Sequence, residues 1–265
     1  MTVLTATFGA IVTRRVKEAM VYRSNSLILA VGALVQIMLT NAVWAAAYGA
    51  GAGPDMPLDR LLLYVTLAGI HAWLFTGPIL QFMQRRVSQG HHLFDLLRPV
   101  GFLPQMAAHQ VGYVAGVLLF MVPALPVAFL VGSLAPPAGM AAGLAYVVSL
   151  ALGLLIHTLL SLLVGMSVFW MMQVDSANLL FRVISQFFSG AFAPLALLPG
   201  WLATVTQLLP FQATTYVPVA IYIGEVTGAG VLRQCALQAA WVAVLALALR
   251  FTWSRAVRKV VVQGG

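Results

Sequence analysis

Six long runs of apolar residues divide the chain, and short polar or charged stretches separate them. The runs extend from about Leu27 to Tyr48, Leu61 to Met83, Met106 to Val131, Gly143 to Met172, Ile184 to Leu198 and Val231 to Phe251. A helix needs roughly 20 residues to cross a hydrocarbon core of about 30 Å, so each run predicts one crossing. The fifth reaches that length only when Phe181 to Val183 are added. Ahead of the first run, Phe8 to Tyr22 reads as an amphipathic helix on the membrane surface. Phe8, Ile11, Val12, Ala19 and Tyr22 turn towards lipid while Arg14, Lys17 and Glu18 reach water, and Arg14 and Glu18 are spaced for an ion pair.

Between the fifth and sixth runs the pattern breaks. Pro199, Pro210 and Pro218, with Gly200 and Gly224, interrupt a stretch that is otherwise apolar, so one straight helix is excluded. Two short helices that dip into the bilayer from one side, or lie along it, fit both features. Such broken backbone survives at membrane depth only where protein covers its carbonyls and amides. The expected fold is an all-α polytopic membrane protein with six transmembrane helices, an N-terminal interfacial helix and short re-entrant helices between the fifth and sixth spans. Residues 1–26 form a cytoplasmic N-terminus carrying the interfacial helix. Residues 27–265 form a single transmembrane domain with a cytoplasmic loop at 84–105.

Composition agrees with this reading. Of 265 residues 62% are hydrophobic, and 14 basic with 6 acidic side chains are too few to cover a soluble domain of this length. A pI near 10.3 invites nucleic acid as a partner, but the basic residues gather at the ends of apolar runs rather than among aromatics on one face. Their distribution orients the chain. With six crossings and the N-terminus inside, Arg14, Arg15, Lys17, Arg23, Arg85, Arg86, Arg98, Arg182, Arg250, Arg255, Arg258 and Lys259 fall on the inner side, against Arg60 and Arg233 outside. That bias places both termini and the 84–105 loop in the cytoplasm.

Candidate chemistry is sparse. The sequence has no Gly-rich loop ending in Gly-Lys-Ser or Gly-Lys-Thr, so uphill transport would draw on an ion gradient or a partner. Asp55, Asp59, Asp95, Asp175 and Glu225 all lie in loops or at segment ends, which disfavours a carboxylate relay. His71 and His157 lie near the middle of their segments and read first as interhelical hydrogen-bonding groups, with a proton or substrate role as the alternative. Gln36, Thr40 and Asn41 read first as interhelical contacts and second as pathway lining. Ser189 and Gly190 would let helices approach closely, and Phe181, Phe187, Phe188 and Phe192 suit either an apolar route or a lipid-facing surface. Cys235 has no partner cysteine, and His91 and His92 are adjacent rather than one helical turn apart, so neither predicts a metal site. His91 to Leu97 can make two turns of helix with Leu93, Leu96 and Leu97 on one side, ended by Arg98 and Pro99. This short helix would either plug a cleft in a soluble partner or rest on the leaflet.

Two motifs carry a resemblance. Arg85, Arg86, Gly90 and Asp95-Leu96-Leu97-Arg98-Pro99 resemble the loop signature of permease subunits of type-2 ABC exporters, closest to the viologen, fluoroquinolone or daunorubicin-like subgroup. The run Phe188-Ser189-Gly190-Ala191-Phe192, then Pro194-Leu195, Pro199-Gly200-Trp201-Leu202, Leu209-Pro210-Phe211, Pro218 and Tyr222-Ile223-Gly224, is similar to the end of the same family. Many relatives carry an acidic residue where this chain has His91.

The resemblance implies a multi-pass subunit of a bacterial plasma (inner) membrane transporter. Two permease subunits, identical or paralogous, would bind two copies of a separate ATPase, which holds the ATP and magnesium. This chain would bind no cofactor and would not itself be an enzyme. Arg85, Arg86, Gly90, His91, His92, Leu93, Asp95, Leu97 and Arg98 would form or flank the coupling helix. The first, second and fifth segments would line the route, and the stretch with Pro199, Trp201, Pro210, Phe211 and Pro218 would form the outer gate. An apolar or amphipathic cationic compound, or a lipid-like molecule, suits a route with almost no buried charge. The competing readings are a noncatalytic membrane partner or assembly protein, and a proton-coupled transporter using His71 and His157.

Overall fold

The computed structural model describes residues 2–51, 56–75, 77–91, 94, 100–131, 133–171, 175–192, 194–195 and 198–263, and every regular element among them is helical. In chain order these are α1 (Thr2–Val21), α2 (Arg23–Gly49), α3 (Leu58–Phe75), α4 (Ile79–Ser88), α5 (Phe102–Met121), α6 (Leu125–Val131), α7 (Met140–Gly165), α8 (Asp175–Phe188), α9 (Gly200–Gln207), α10 (Tyr216–Tyr222) and α11 (Ala229–Gln263). A 3₁₀ turn at Val122–Ala124 joins α5 to α6, and another at Met166–Phe169 extends α7.

Among the described residues, 4 helices are long and apolar enough to cross a membrane: α2, α3 with α4, α7 with its 3₁₀ extension, and α11. The other two predicted crossings look different. The third run begins earlier, at Phe102, and passes through a 3₁₀ turn where Pro123 and Pro126 remove amide donors at the α5–α6 junction. The fifth run does not form a helix over Ile184 to Leu198. Its helix, α8, starts at Asp175 and stops at Phe188, so its 14 residues reach only about 21 Å. The stop is local: Gly190 takes φ +77°, a left-handed conformation that glycine adopts without steric cost.

The second run is also broken. Pro78 follows Gly77 between α3 and α4, and an added Cβ at Gly77 would overlap the carboxamide of Gln110 on α5. A proline at this point removes a backbone donor, and the run is divided into two helices.

The amphipathic first helix packs otherwise than its pattern suggests. α1 lies along α5, where an added Cβ at Gly112 would come within 2.6 Å of Arg15 Cβ and one at Gly116 within 3.0 Å of Ala19 Cβ. The small residues of α5 admit α1, so Ala19 faces protein rather than lipid, beside Arg15. The ion pair on α1 is Arg15 with Glu18, 2.9 Å apart, not Arg14 with Glu18.

The stretch with three prolines is covered as broken backbone requires. The Tyr216 amide donates to the Ser189 carbonyl (3.0 Å), the Ala138 amide donates to the Tyr222 carbonyl (3.0 Å), and the Tyr222 hydroxyl donates to the Ala135 carbonyl (2.7 Å). Gln238 of α11, which is buried, donates Nε2 to the carbonyls of Ala213 (2.7 Å) and Ser149 (3.0 Å), and its Oε1 accepts from Ser149 Oγ (3.0 Å). α10 and the segment before it are thereby tied to α11, to α7 and the residues that precede it, and to the end of α8.

Candidate functional site

α8 carries its polar residues on one face. Asn178, Arg182, Ser185 and Ser189 recur at helical spacing, whereas Leu179, Leu180, Val183 and Phe187 point away from the protein. The polar face borders a cavity of about 490 Å³. Asn25 and Leu29 of α2 form a second wall, Gln81 and Arg85 of α4 a third, and His157 and Ser161 of α7 the back. Thr214 and Thr215, in the segment before α10, close one end.

The wall of this cavity is mixed, with Leu29, Phe75, Leu80 and Phe181 among the polar side chains. Gln81 Oε1, Ser185 Oγ and Thr215 Oγ1 are buried and have no hydrogen-bond partner.

The sequence-predicted residues separate into distinct places. His157 lines the cavity, with its ring 5.1 Å from that of Phe75, 5.9 Å from that of Phe181, and Nε2 3.3 Å from Ser161 Oγ. His71 is elsewhere, fully buried, with Nε2 2.9 Å from the Tyr146 hydroxyl of α7 and the two rings stacked at 5.7 Å. Asn41 donates Nδ2 to Thr66 Oγ1 of α3 at 3.1 Å, Thr40 donates to the Gln36 carbonyl within its own helix, and the Gln36 side chain faces outward. None of these three lines the cavity. Phe188 is half-buried against Phe211, 6.3 Å between ring centres, while Phe192 is 75% exposed.

In the stretch between α8 and α11, Pro210 and Pro218 are buried, Phe211 reaches Phe181 at 6.5 Å, Pro199 precedes α9, and Trp201 is exposed. Beyond α10, burial raises the Glu225 carboxyl above its usual range, and the nearby Arg60 guanidinium opposes that shift.

At the other end, Arg85 turns into the cavity wall, and Arg86 lies over the Phe82 ring at 5.5 Å. Gly90 takes φ +71°, and His91 and Phe94 are exposed. His92, Leu93, Asp95, Leu97 and Arg98 lie outside the described residues. Sequence reasoning missed the polar face of α8 because it counted the segment from Ile184. The recurrence of Asn178, Arg182 and Ser185 was the available signal.

Helices this long and apolar define a helical membrane protein. The family model described as "ABC-2 family transporter protein" matches residues 58–264, and the chain belongs to that family. It is the membrane component of an ABC transporter, not itself catalytic, and membership implies partnership with an ATPase subunit. No curated protein and no solved structure matches the chain.

Proposed function

We propose that this chain is the permease subunit of an ATP-driven exporter, of the viologen, fluoroquinolone or daunorubicin-like subgroup, that moves an apolar or amphipathic compound out of the cytoplasm or inner leaflet. Two permease subunits and two ATPase subunits make the working unit in a bacterial inner membrane, and ATP and magnesium stay on the ATPases. The chain crosses six times with both termini inside, α5–α6 and α8 supplying the two shorter crossings. α9 and α10 are re-entrant and form the outer gate. Residues 27–265 act as one permease domain behind the interfacial segment at 1–26. The single observation that supports the reading, within the family, is the cavity of about 490 Å³ whose walls include α2, α4 and α8.

The break at Pro78 gives this reading a physical linkage. α4 joins the 84–105 loop to the cavity wall, and Gln81 and Arg85 travel with it. An ATPase that closes on nucleotide and presses the loop would move α4, with the buried Ile79, Leu80 and Met83 that seat it in the core, relative to α3 about the Gly77–Pro78 break. A rigid helix beside such a break converts a push at one end into a change of cavity shape.

The test is photo-crosslinking in cells from His91 and Phe94, both exposed beside the loop. The expected product is an ATPase with a phosphate-binding loop, and in the purified complex Phe94→Asp lowers substrate-stimulated hydrolysis about tenfold, the size of effect that losing one buried apolar contact gives at an interface. Labelling of Phe94 only from outside the cell, or crosslinks that never reach an ATPase, would overturn the reading.

A further inference from the structure

The charge of the cavity narrows what it takes. Among the described residues that line it, the charged ones are Arg85 and Arg182, and none is acidic. Among the described residues, neither arginine has a carboxylate partner; the one ion pair is Arg15 with Glu18. Asp175, on the same helix as Arg182, accepts from Gln84 Nε2 at 3.3 Å and does not line the cavity. Both arginines are exposed, and inner-side placement alone would explain their presence. It does not explain why they line one space from two different helices, α4 and α8. Guanidinium groups around one space match phosphate or carboxylate oxygens, and they repel a cation.

The cavity also continues. It shares Asn25, Leu29 and Tyr113 with a second space of about 440 Å³ between α1, α2 and α5. There the charges are Arg15 and Glu18, paired with each other, and the remaining wall includes Trp73, Val117 and Phe120. Both volumes fall in the range of about 300–1,000 Å³ typical of small-molecule sites. A chamber with two arginines on a largely apolar wall therefore opens past Tyr113 into a groove whose charges are paired with each other.

We infer that the site binds an anionic amphiphile, with its oxyanion headgroup between Arg85 and Arg182 and its hydrocarbon tail past Tyr113 in the groove beside Trp73. This rests on the reading of the cavity as part of the transport route. It replaces the cationic compound suggested by the scarcity of buried charge, because the charges that do line the chamber are positive.

Binding tests this without the ATPase. The full chain, in a neutral maltoside detergent, is titrated with an alkyl phosphate brominated near the tail end and with the matching alkyltrimethylammonium, following tryptophan quenching. The phosphate is expected to half-saturate at a concentration about tenfold lower than the ammonium, as charge-assisted pairing to arginine predicts. Trp73→Phe removes the quenching, the pair Arg85→Gln and Arg182→Gln removes the preference for phosphate, and the pair Arg85→Lys and Arg182→Lys keeps a preference of the same sign. A phosphatidylglycerol nanodisc that competes with the probe makes the source a membrane lipid, whereas no competition leaves a soluble amphiphile. Inorganic phosphate that displaces the probe as well as its alkyl ester does would show that the tail contributes nothing. That result, equal affinity for the two headgroups, a preference surviving both glutamine changes, or quenching unaffected by Trp73→Phe would each overturn the inference. An ATPase that still couples while these fail would leave the exporter reading intact, and binding without any ATPase partner would do the reverse.

Discussion

Replacing Gly190 by alanine is expected to cost the folded chain about 2–5 kcal/mol, because two penalties fall on one residue. The residue sits at φ +77°, where a side chain costs about 1–2 kcal/mol. A Cβ there would also stand 2.6 Å from the Tyr64 hydroxyl oxygen. That hydroxyl cannot move aside cheaply, since it is buried in α3 and donates to the Gly190 carbonyl at 2.9 Å. Thermal unfolding in detergent should show a clear loss of stability for Gly190→Ala. Tyr64→Phe removes both the clash and the hydrogen bond, so adding Gly190→Ala to that background should cost about 1 kcal/mol less than in the natural chain. Gly200→Ala is the control: nothing lies within 4 Å of a Cβ at that position, so it should be neutral or slightly stabilising. Equal costs for Gly190→Ala with and without the Tyr64 hydroxyl would mean that the corner is not packed in this way.

Hydropathy made the helical membrane class legible, because runs of this length have few other solutions. Breaks were less legible. Pro78 lies inside a run that reads as continuous, and only the packing of Gln110 on Gly77 shows the chain giving way there. The first helix was misread in orientation. Its periodicity requires one apolar face to be covered, but not by what, and Gly112 and Gly116, nearly a hundred residues away, decide that α5 covers it. Candidate site residues were legible by type but not by location. His71 and His157 occupy similar midsegment positions, yet one is held by Tyr146 and the other faces the cavity. Arg85 carried a coupling role in the sequence motif, while its side chain forms part of the cavity wall. The two observations are compatible if α4 is the piece that moves.

Gln238 shows the same limit from the other side, since nothing in the pattern of the last run marks it, and it is expected to be among the most costly positions to change. Its side-chain amide serves α7 through Ser149 and the broken stretch through Ala213, with all three bonds at 2.7–3.0 Å. Gln238→Leu keeps the volume but leaves the Ala213 carbonyl and the Ser149 hydroxyl without partners, for a loss of about 2–4 kcal/mol. Gln238→Glu keeps the shape and removes both donors, so it should be at least as damaging if hydrogen bonding is the cause. Were packing the cause, the glutamate variant would melt near the natural chain. Ser149→Ala removes one bond and leaves the amide its two acceptors, so about 1 kcal/mol is expected. The effect should extend to the cavity. Gly153 of α7 lets the carbonyls of Ala213 and Thr214 approach to 3.1 and 2.9 Å of where a Cβ would lie, and Gln238 holds the segment against that face. Thr214 and Thr215 follow directly and close the chamber, so a Gln238 variant that still folds should bind the alkyl phosphate more weakly, although the side chain does not line the site.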